Sequence, residues 1–190
     1  IKECKKCPLG KTRTKLVYGV GNPDSKLLFV GEGPGYDEDH QGEPFVGRAG
    51  KLLNKIIEAL KLKREDVYIA NITKCHPMID PSDSEKRGND RPPTKEEMAK
   101  CMPYLERQIE IIRPKIICAL GTTAAQGILN TDEPIGKLRG KVFEHSIKNI
   151  LLKIVPTYHP AALLRNPSLK PTAWKDFLLI LELLKSAKTL

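Results

Sequence analysis

Phe29-Val-Gly-Glu-Gly-Pro-Gly-Tyr-Asp-Glu-Asp39 decides how this chain is read. The apolar run leading into it, Lys26-Leu-Leu-Phe-Val30, has the length and character of a buried strand. It breaks at once into three glycines and a proline, then into acidic residues. In an open α/β sheet, ligands sit beyond the carboxyl ends of the strands. Glycines there, Gly31 and Gly33 among them, let backbone N–H groups come close to a bound group. A Gly-rich turn alone also serves simply to reverse the chain, so its meaning depends on what surrounds it.

Outward from this turn the chain alternates between strand and helix patterns. Leu16 to Gly21 reads as a short strand, and Lys26 to Gly31 as the first core strand. Leu52, Leu53, Ile56, Ile57 and Leu60 fall on one face of a helix over 47–63. A second strand is expected over 66–72 and a polar, exposed loop over 75–93. Thr94-Lys-Glu-Glu97 is a capping box for a helix to about Ile112, kinked at Pro103. Strands follow at 115–120 and 150–155, and Gly121-Thr-Thr-Ala124 opens a helix between them. A last helix begins near Pro171. The expected fold is therefore a three-layer α/β/α domain around a mainly parallel, four-stranded sheet.

At 190 residues, 40% hydrophobic and 29% charged, the chain suits one domain, spanning residues 1–190. Its longest apolar run, Phe177 to Leu184, is interrupted by Glu182 and falls short of the ~20 residues a bilayer span needs. That run also lies at the wrong end for a signal peptide, so the expectation is a cytoplasmic protein that does not engage membranes. Thirty-two Lys and Arg against 23 Asp and Glu give a net charge of +9, which favours polyanionic partners such as nucleic acid. Glutamine is sparse (Gln41, Gln108, Gln126) amid abundant Lys, Glu and Ile, in keeping with a thermophilic source.

Five cysteines are arranged as a tight pair, Cys4-Lys-Lys-Cys7, with Cys75 and Cys101 distant and Cys118 inside an apolar strand. In a reducing compartment this pattern points to metal before disulfides. Cys118 reads as a small hydrophobe. Four thiolates suit either zinc or an iron–sulfur cluster, and spacing alone leaves both open.

Three further residues stand where strands end or loops begin. Asn71 follows Val67-Tyr-Ile-Ala70; its amide offers both a donor and an acceptor, which either bond its own loop backbone or read a ligand presenting the complementary pair. Phe45, in Gln41-Gly-Glu-Pro-Phe-Val-Gly47, presents a planar ring that either stacks on an extruded base or anchors its own loop. His159 lies in Pro156-Thr-Tyr-His-Pro-Ala-Ala-Leu-Leu-Arg165, just past the last core strand.

Taken in order, the Gly-Glu-Gly-Pro-Gly turn, Asn71, Tyr158-His159-Pro160 and the scattered cysteines resemble the uracil-DNA glycosylase superfamily, specifically its iron–sulfur-containing family 4. The resemblance runs from Cys4 to about Leu184. It implies a monofunctional glycosylase that flips deoxyuridine out of DNA and hydrolyses its N-glycosidic bond in base excision repair. It implies a [4Fe–4S] cluster on Cys4, Cys7, Cys75 and Cys101, formed by the amino-terminal segment and the 75–101 region, with a structural role. The interval from Cys75 to Cys101 is long for the family, as though its loop were extended. Asn71 would read uracil, Phe45 stack on it, and His159 donate to uracil O2 as the bond breaks. Leu163, Leu164 and Arg165 would form the loop that enters the duplex.

Glu32 and Glu38 occupy the family's first motif. The best-studied relatives carry aspartate where this chain has Gly33, which passes the water-positioning task to Glu32. Glu38 would wall the pocket near uracil C5. The implied partner is uracil-containing DNA, single- or double-stranded, with a replication sliding clamp as a further one, and the chain would be a monomer. No lysine sits in a motif suited to a Schiff base, so strand cleavage is not expected. The alternatives are a sister glycosylase of broader or mismatch-directed specificity, a non-catalytic iron–sulfur or zinc nucleic-acid-binding module, and a phosphate enzyme built on Gly31 and Gly121. Convergence of Glu32, Phe45, Asn71 and His159 on one pocket separates the first reading from a pure binder.

Overall fold

The computed structural model describes residues 1–186. Its elements, in order, are α1 (Leu9–Thr12), β1 (Val20–Gly21), β2 (Leu27–Gly31), α2 (Tyr36–Gln41), α3 (Arg48–Ala59), β3 (Tyr68–Asn71), α4 (Lys95–Ile112), β4 (Ile116–Leu120), α5 (Thr122–Leu129), α6 (Ile135–Leu138), β5 (Phe143–Ile147), β6 (Ile150–Thr157), α7 (Pro160–Arg165) and α8 (Lys170–Ser186).

The sheet has six strands in the order β1-β3-β2-β4-β6-β5. The four inner strands are parallel, as expected. The two additional strands are antiparallel edges, and they correct the four-stranded expectation. β1, two residues long, is the end of the short strand expected over 16–21. β5 alternates between half-buried and exposed positions without a strong apolar side. It joins β6 through Lys148 and Asn149, both at positive φ (50° and 62°), the geometry of a tight hairpin turn.

Side chains alternate across the inner strands and divide the core in two. Leu27 and Phe29 face a layer with Leu53, Ile57, Phe177 and Ile180 from α3 and α8. Leu28 and Val30 face Leu105, Ile109 and Ile128 from α4 and α5. Because both faces of β2 and β4 are covered, every residue of these strands is buried. The capping box of α4 forms as expected: Thr94 Oγ1 accepts from Glu97 N at 3.1 Å, and the Glu97 carboxylate accepts from Thr94 N at 2.8 Å. Pro103 is accommodated within that helix. No described helix is long and apolar enough to cross a membrane.

The topology fixes where a ligand can sit. β2 leads to β3 on one side, and β4 is added on the other, so the order reverses between β2 and β4. The crevice beyond the carboxyl ends of those strands is the switch point of a doubly wound sheet. Glu32, Asn71, Gly121 and His159 all follow or end strands there.

Candidate active site

A cleft of about 620 Å³ opens at this switch point, and Glu32, Gly33, Phe45, Asn71, His159 and Arg165 all line it. The four residues whose convergence separates a catalyst from a binder therefore share one cavity.

Asn71 ends β3 and is 2% exposed. Its backbone carbonyl accepts from Lys74 Nζ at 2.6 Å. Its side-chain oxygen is buried and has no hydrogen-bond partner among the described residues. An orphaned buried acceptor is costly, by about 1–3 kcal/mol, unless something bound to the site satisfies it. Gly31 makes this placement possible. A Cβ on Gly31 would stand 2.4 Å from Asn71 Oδ1 and 2.6 Å from Phe45 Cζ.

Phe45 adopts φ +54°, an unfavourable conformation for a bulky residue. Glu38 holds the loop that imposes it. Its Oε1 accepts from Val46 N (2.8 Å) and Gly47 N (2.9 Å), and its Oε2 accepts from Gly35 N (3.2 Å). The Glu38 carboxylate, expected at uracil C5, is thus a clamp between the Gly-rich turn and the Phe45 loop, although the residue also lines the cleft.

His159 caps α7. Its Nδ1 accepts from Ala161 N at 3.1 Å, which leaves the proton of the neutral ring on Nε2. Burial, and secondarily the positive charge of Arg165, push its pKa down to about 4. The site therefore holds a neutral imidazole with an N–H donor near pH 7. Its ring lies 5.5 Å from that of Phe45, tilted by 33°.

Glu32 accepts a hydrogen bond at Oε2 from Thr123 Oγ1, on the first turn of α5. Its backbone oxygen accepts from Thr73 N at 3.1 Å. At Gly33, a Cβ would come within 2.4 Å of Thr73 Oγ1, so a side chain there requires Thr73 to move.

Beyond the base-binding end, the α7 segment departs from expectation. Leu163 is 2% exposed and belongs to the core layer of α3 and α8, so it does not face DNA. Leu164 is 36% exposed, and Arg165 lines the cleft. A six-residue helix must bury one of two adjacent leucines against α3, and only one remains outside.

The 75–93 segment is likewise not the uniformly exposed loop expected. Cys75, His76, Met78 and Asn89 are buried, while residues 80–86 lie mostly outside. Cys75 Sγ accepts from Arg13 Nη1 at 3.1 Å, and Cys4 Sγ accepts from Tyr104 Oη at 3.4 Å. Burial pushes the Cys101 thiol up to about 11, and Cys75 and Cys7 add to the rise. Burial also raises Cys75, with Cys7 and Cys4 contributing. Cys101 thus feels Cys75 and Cys7, and Cys75 feels Cys7 and Cys4, whereas Cys118 is fully buried in β4. As placed, no three Cys, His, Asp or Glu side chains among the described residues form a group able to hold one metal ion.

Lys74, Arg13 and Thr123 are absent from the sequence-based expectations. Lys74 is fully buried, its pKa lowered by burial to about 7, and it also donates to Gln108 Oε1 at 2.6 Å. A lysine between an apolar strand and a cysteine was the only signal available for it.

Comparison with known proteins agrees with this geometry. A family model described as the uracil DNA glycosylase superfamily matches residues 18–181. The chain belongs to that superfamily. Within it, the similarity is to type-4 enzymes. A type-4 uracil-DNA glycosylase of Archaeoglobus fulgidus is 46% identical over 187 residues, covering 96% of this chain and 89% of the relative. Another from Saccharolobus solfataricus is 43% identical over 191 residues, covering 98% and 84%. A third, from Thermotoga maritima, is 45% identical over 169 residues, covering 88% and 81%. A type-5 uracil-DNA glycosylase of Pyrobaculum aerophilum is more distant, at 24% over 159 residues.

Proposed function

We propose that this chain, as one catalytic domain over residues 1–190, removes uracil from DNA by hydrolysing its N-glycosidic bond. The observation that carries the reading is the buried, unpartnered Asn71 Oδ1, which faces a cleft shared with Phe45, His159 and Glu32. Uracil N3–H satisfies that acceptor, and the Asn71 amide N–H answers O4. Cytosine has no N3–H and presents a donor at C4, so it meets the wrong partner at both positions. Phe45 covers one face of the flipped base.

The bond from uracil N1 to the sugar C1′ breaks with its electron pair passing to the base. Negative charge then grows on uracil O2, where the neutral His159 Nε2–H donates a hydrogen bond. Imidazole bearing a single proton stabilises that charge while keeping its own proton. Glu32, held by Thr123, orients water toward C1′, and its negative charge favours the electron-poor sugar. Water oxygen bonds to C1′, its released proton neutralises the uracil anion, and the products are uracil and an abasic site.

Cys4, Cys7, Cys75 and Cys101 would hold a [4Fe–4S] cluster. An all-thiol set fits the group, and Cys75 and Cys101 both feel the charge of Cys7 in the amino-terminal pair. Bound there, it would pin the amino-terminal segment and α4 to the end of β3, the strand that carries Asn71. The deciding experiment incubates the protein with a uracil-containing oligonucleotide. Free uracil and alkali-labile sites are expected; binding without release would leave only a nucleic-acid-binding module.

A further inference from the structure

The long Cys75–Cys101 interval folds into a defined arm beside the cleft. Asn89, 2% exposed, staples it: Nδ2 donates to Asp80 O (2.7 Å) and Asp83 O (2.9 Å), and Oδ1 accepts from Asp80 N (2.8 Å). Arg91 closes its base by donating to Met78 O at 2.9 Å and to both Glu97 oxygens at 2.8 and 2.7 Å. A segment tied in this way presents its outer side chains in fixed places.

Arg87 is the residue so presented. Its guanidinium carbon lies 4.4 Å from the centroid of the Tyr36 ring, and Nη1 donates to Asp37 Oδ1 at 3.1 Å. The side chain nonetheless remains 73% exposed. A guanidinium has five N–H donors, and the Asp37 contact engages one nitrogen. Stacking and the ion pair thus orient a planar fork whose remaining donors can meet a bidentate anion. Arg87 also lines the mouth of the cleft that holds Asn71 and His159.

The sheet order places this arm across from the α7 loop. β3 and β6 flank the central β2–β4 pair, so the segments that follow them face each other over the crevice. Arg165 and Arg87 both line that crevice. A flipped nucleotide remains covalently tied to backbone phosphates on both sides of its sugar, and fixing both holds the base in its pocket.

We infer that the 77–91 arm is a second DNA grip, in which Arg87, seated on Tyr36 and aligned by Asp37, takes a backbone phosphate opposite Arg165. This rests on the glycosylase reading of the same cleft. Arg87 does not touch the base, so its contribution is to binding.

The test compares wild type, Arg87→Ala and Arg87→Lys on one duplex with and without uracil. Affinity for the uracil-free duplex is measured across a potassium chloride series, and kcat and KM are measured on the uracil-containing one. Arg87→Ala should flatten the slope of log Kd against log salt by about one phosphate contact and raise KM about fivefold, with kcat unchanged. Arg87→Lys should keep the slope, because it retains the point charge, while recovering only part of the KM. An Arg87→Ala protein with a lowered Tm but wild-type slope and KM would overturn the inference and leave Arg87 a loop staple. Wild type that bound DNA but released no uracil would overturn the glycosylase reading instead; the salt series would still report on the grip.

Discussion

Asn71 Oδ1 occupies the space that a Cβ on Gly31 would need, the two being separated by only 2.4 Å. The same missing Cβ admits the Phe45 ring edge at 2.6 Å. One methyl group at the end of β2 therefore strikes both the base reader and the stacking ring. Gly31→Ala should cut kcat/KM for uracil excision by about a hundredfold, with about 1–3 kcal/mol of lost stability from overpacking. Single-turnover excision beside thermal melts separates the two effects. A folded variant with wild-type excision would show that Asn71 and Phe45 need no such close approach.

Asn71→Asp exchanges an amide for an acceptor-only carboxylate. Facing uracil O4 with negative charge, it should lose at least about a hundredfold in activity on uracil. A trace of activity on cytosine is expected, because its exocyclic amine is a donor, and mispaired cytosine should be favoured as easier to extrude. Excision assays on duplexes of one sequence carrying U·A, U·G, C·G or C·A check both parts. Retention of wild-type rate and selectivity would remove Asn71 from the role of base reader.

Glu38 acts through backbone. Its carboxylate accepts from Gly35, Val46 and Gly47 and so holds Phe45 at φ +54°. Glu38→Ala leaves three N–H groups without that partner and should destabilise the fold by about 1–3 kcal/mol. Activity on uracil should fall along with stability, whereas selectivity against thymine reports separately on the pocket wall. Urea melts and competition between uracil and thymine substrates measure the two.

His159 titrates near 4 in the folded chain, against an ordinary value near 6.5. The unfolded chain thus binds more protons between those values, so the His159 contribution to stability declines as pH falls from about 6.5 to about 4. His159→Gln removes this dependence. The difference in urea midpoint between wild type and His159→Gln should therefore shrink or reverse over that window and stay flat above about pH 7. On the kinetic side, His159→Ala should slow the chemical step while leaving DNA affinity little changed, as expected of a donor that acts only as charge develops on the base.

The site was legible in outline because Glu32, Asn71 and His159 each follow an apolar strand, and a parallel sheet brings such positions to one crevice. What escaped the sequence depends on contacts between distant segments. The pairing of Glu32 with Thr123 joins residues 91 positions apart, and no local pattern announces it. The turn near Phe45 exists only because Glu38 reaches across from another element. Leu163 and Leu164 are adjacent and chemically identical, so only packing against α3 decides which is buried. The edge strand β5 escaped as a defined strand because it is half-exposed and leaves no clear period, whereas β1 was legible as the end of the strand expected over 16–21.

Cys4, Cys7, Cys75 and Cys101 come from the amino terminus, the end of β3 and α4, three segments with no covalent link near the site. A cluster on them should make anaerobically purified protein brown, with iron and acid-labile sulfide in near-equal amounts. Cys118 is buried in β4 away from that group, so Cys118→Ala should keep the colour and lose only packing. Cys75→Ala should bleach the protein and lower its Tm, because Arg13 also loses its sulfur partner. Chelation after reduction should likewise loosen residues 1–14, visible as faster amide exchange there, if metal is what holds the segment down. Colourless, active protein carrying stoichiometric zinc would replace the cluster with a single ion and require the four sulfurs to close onto one centre.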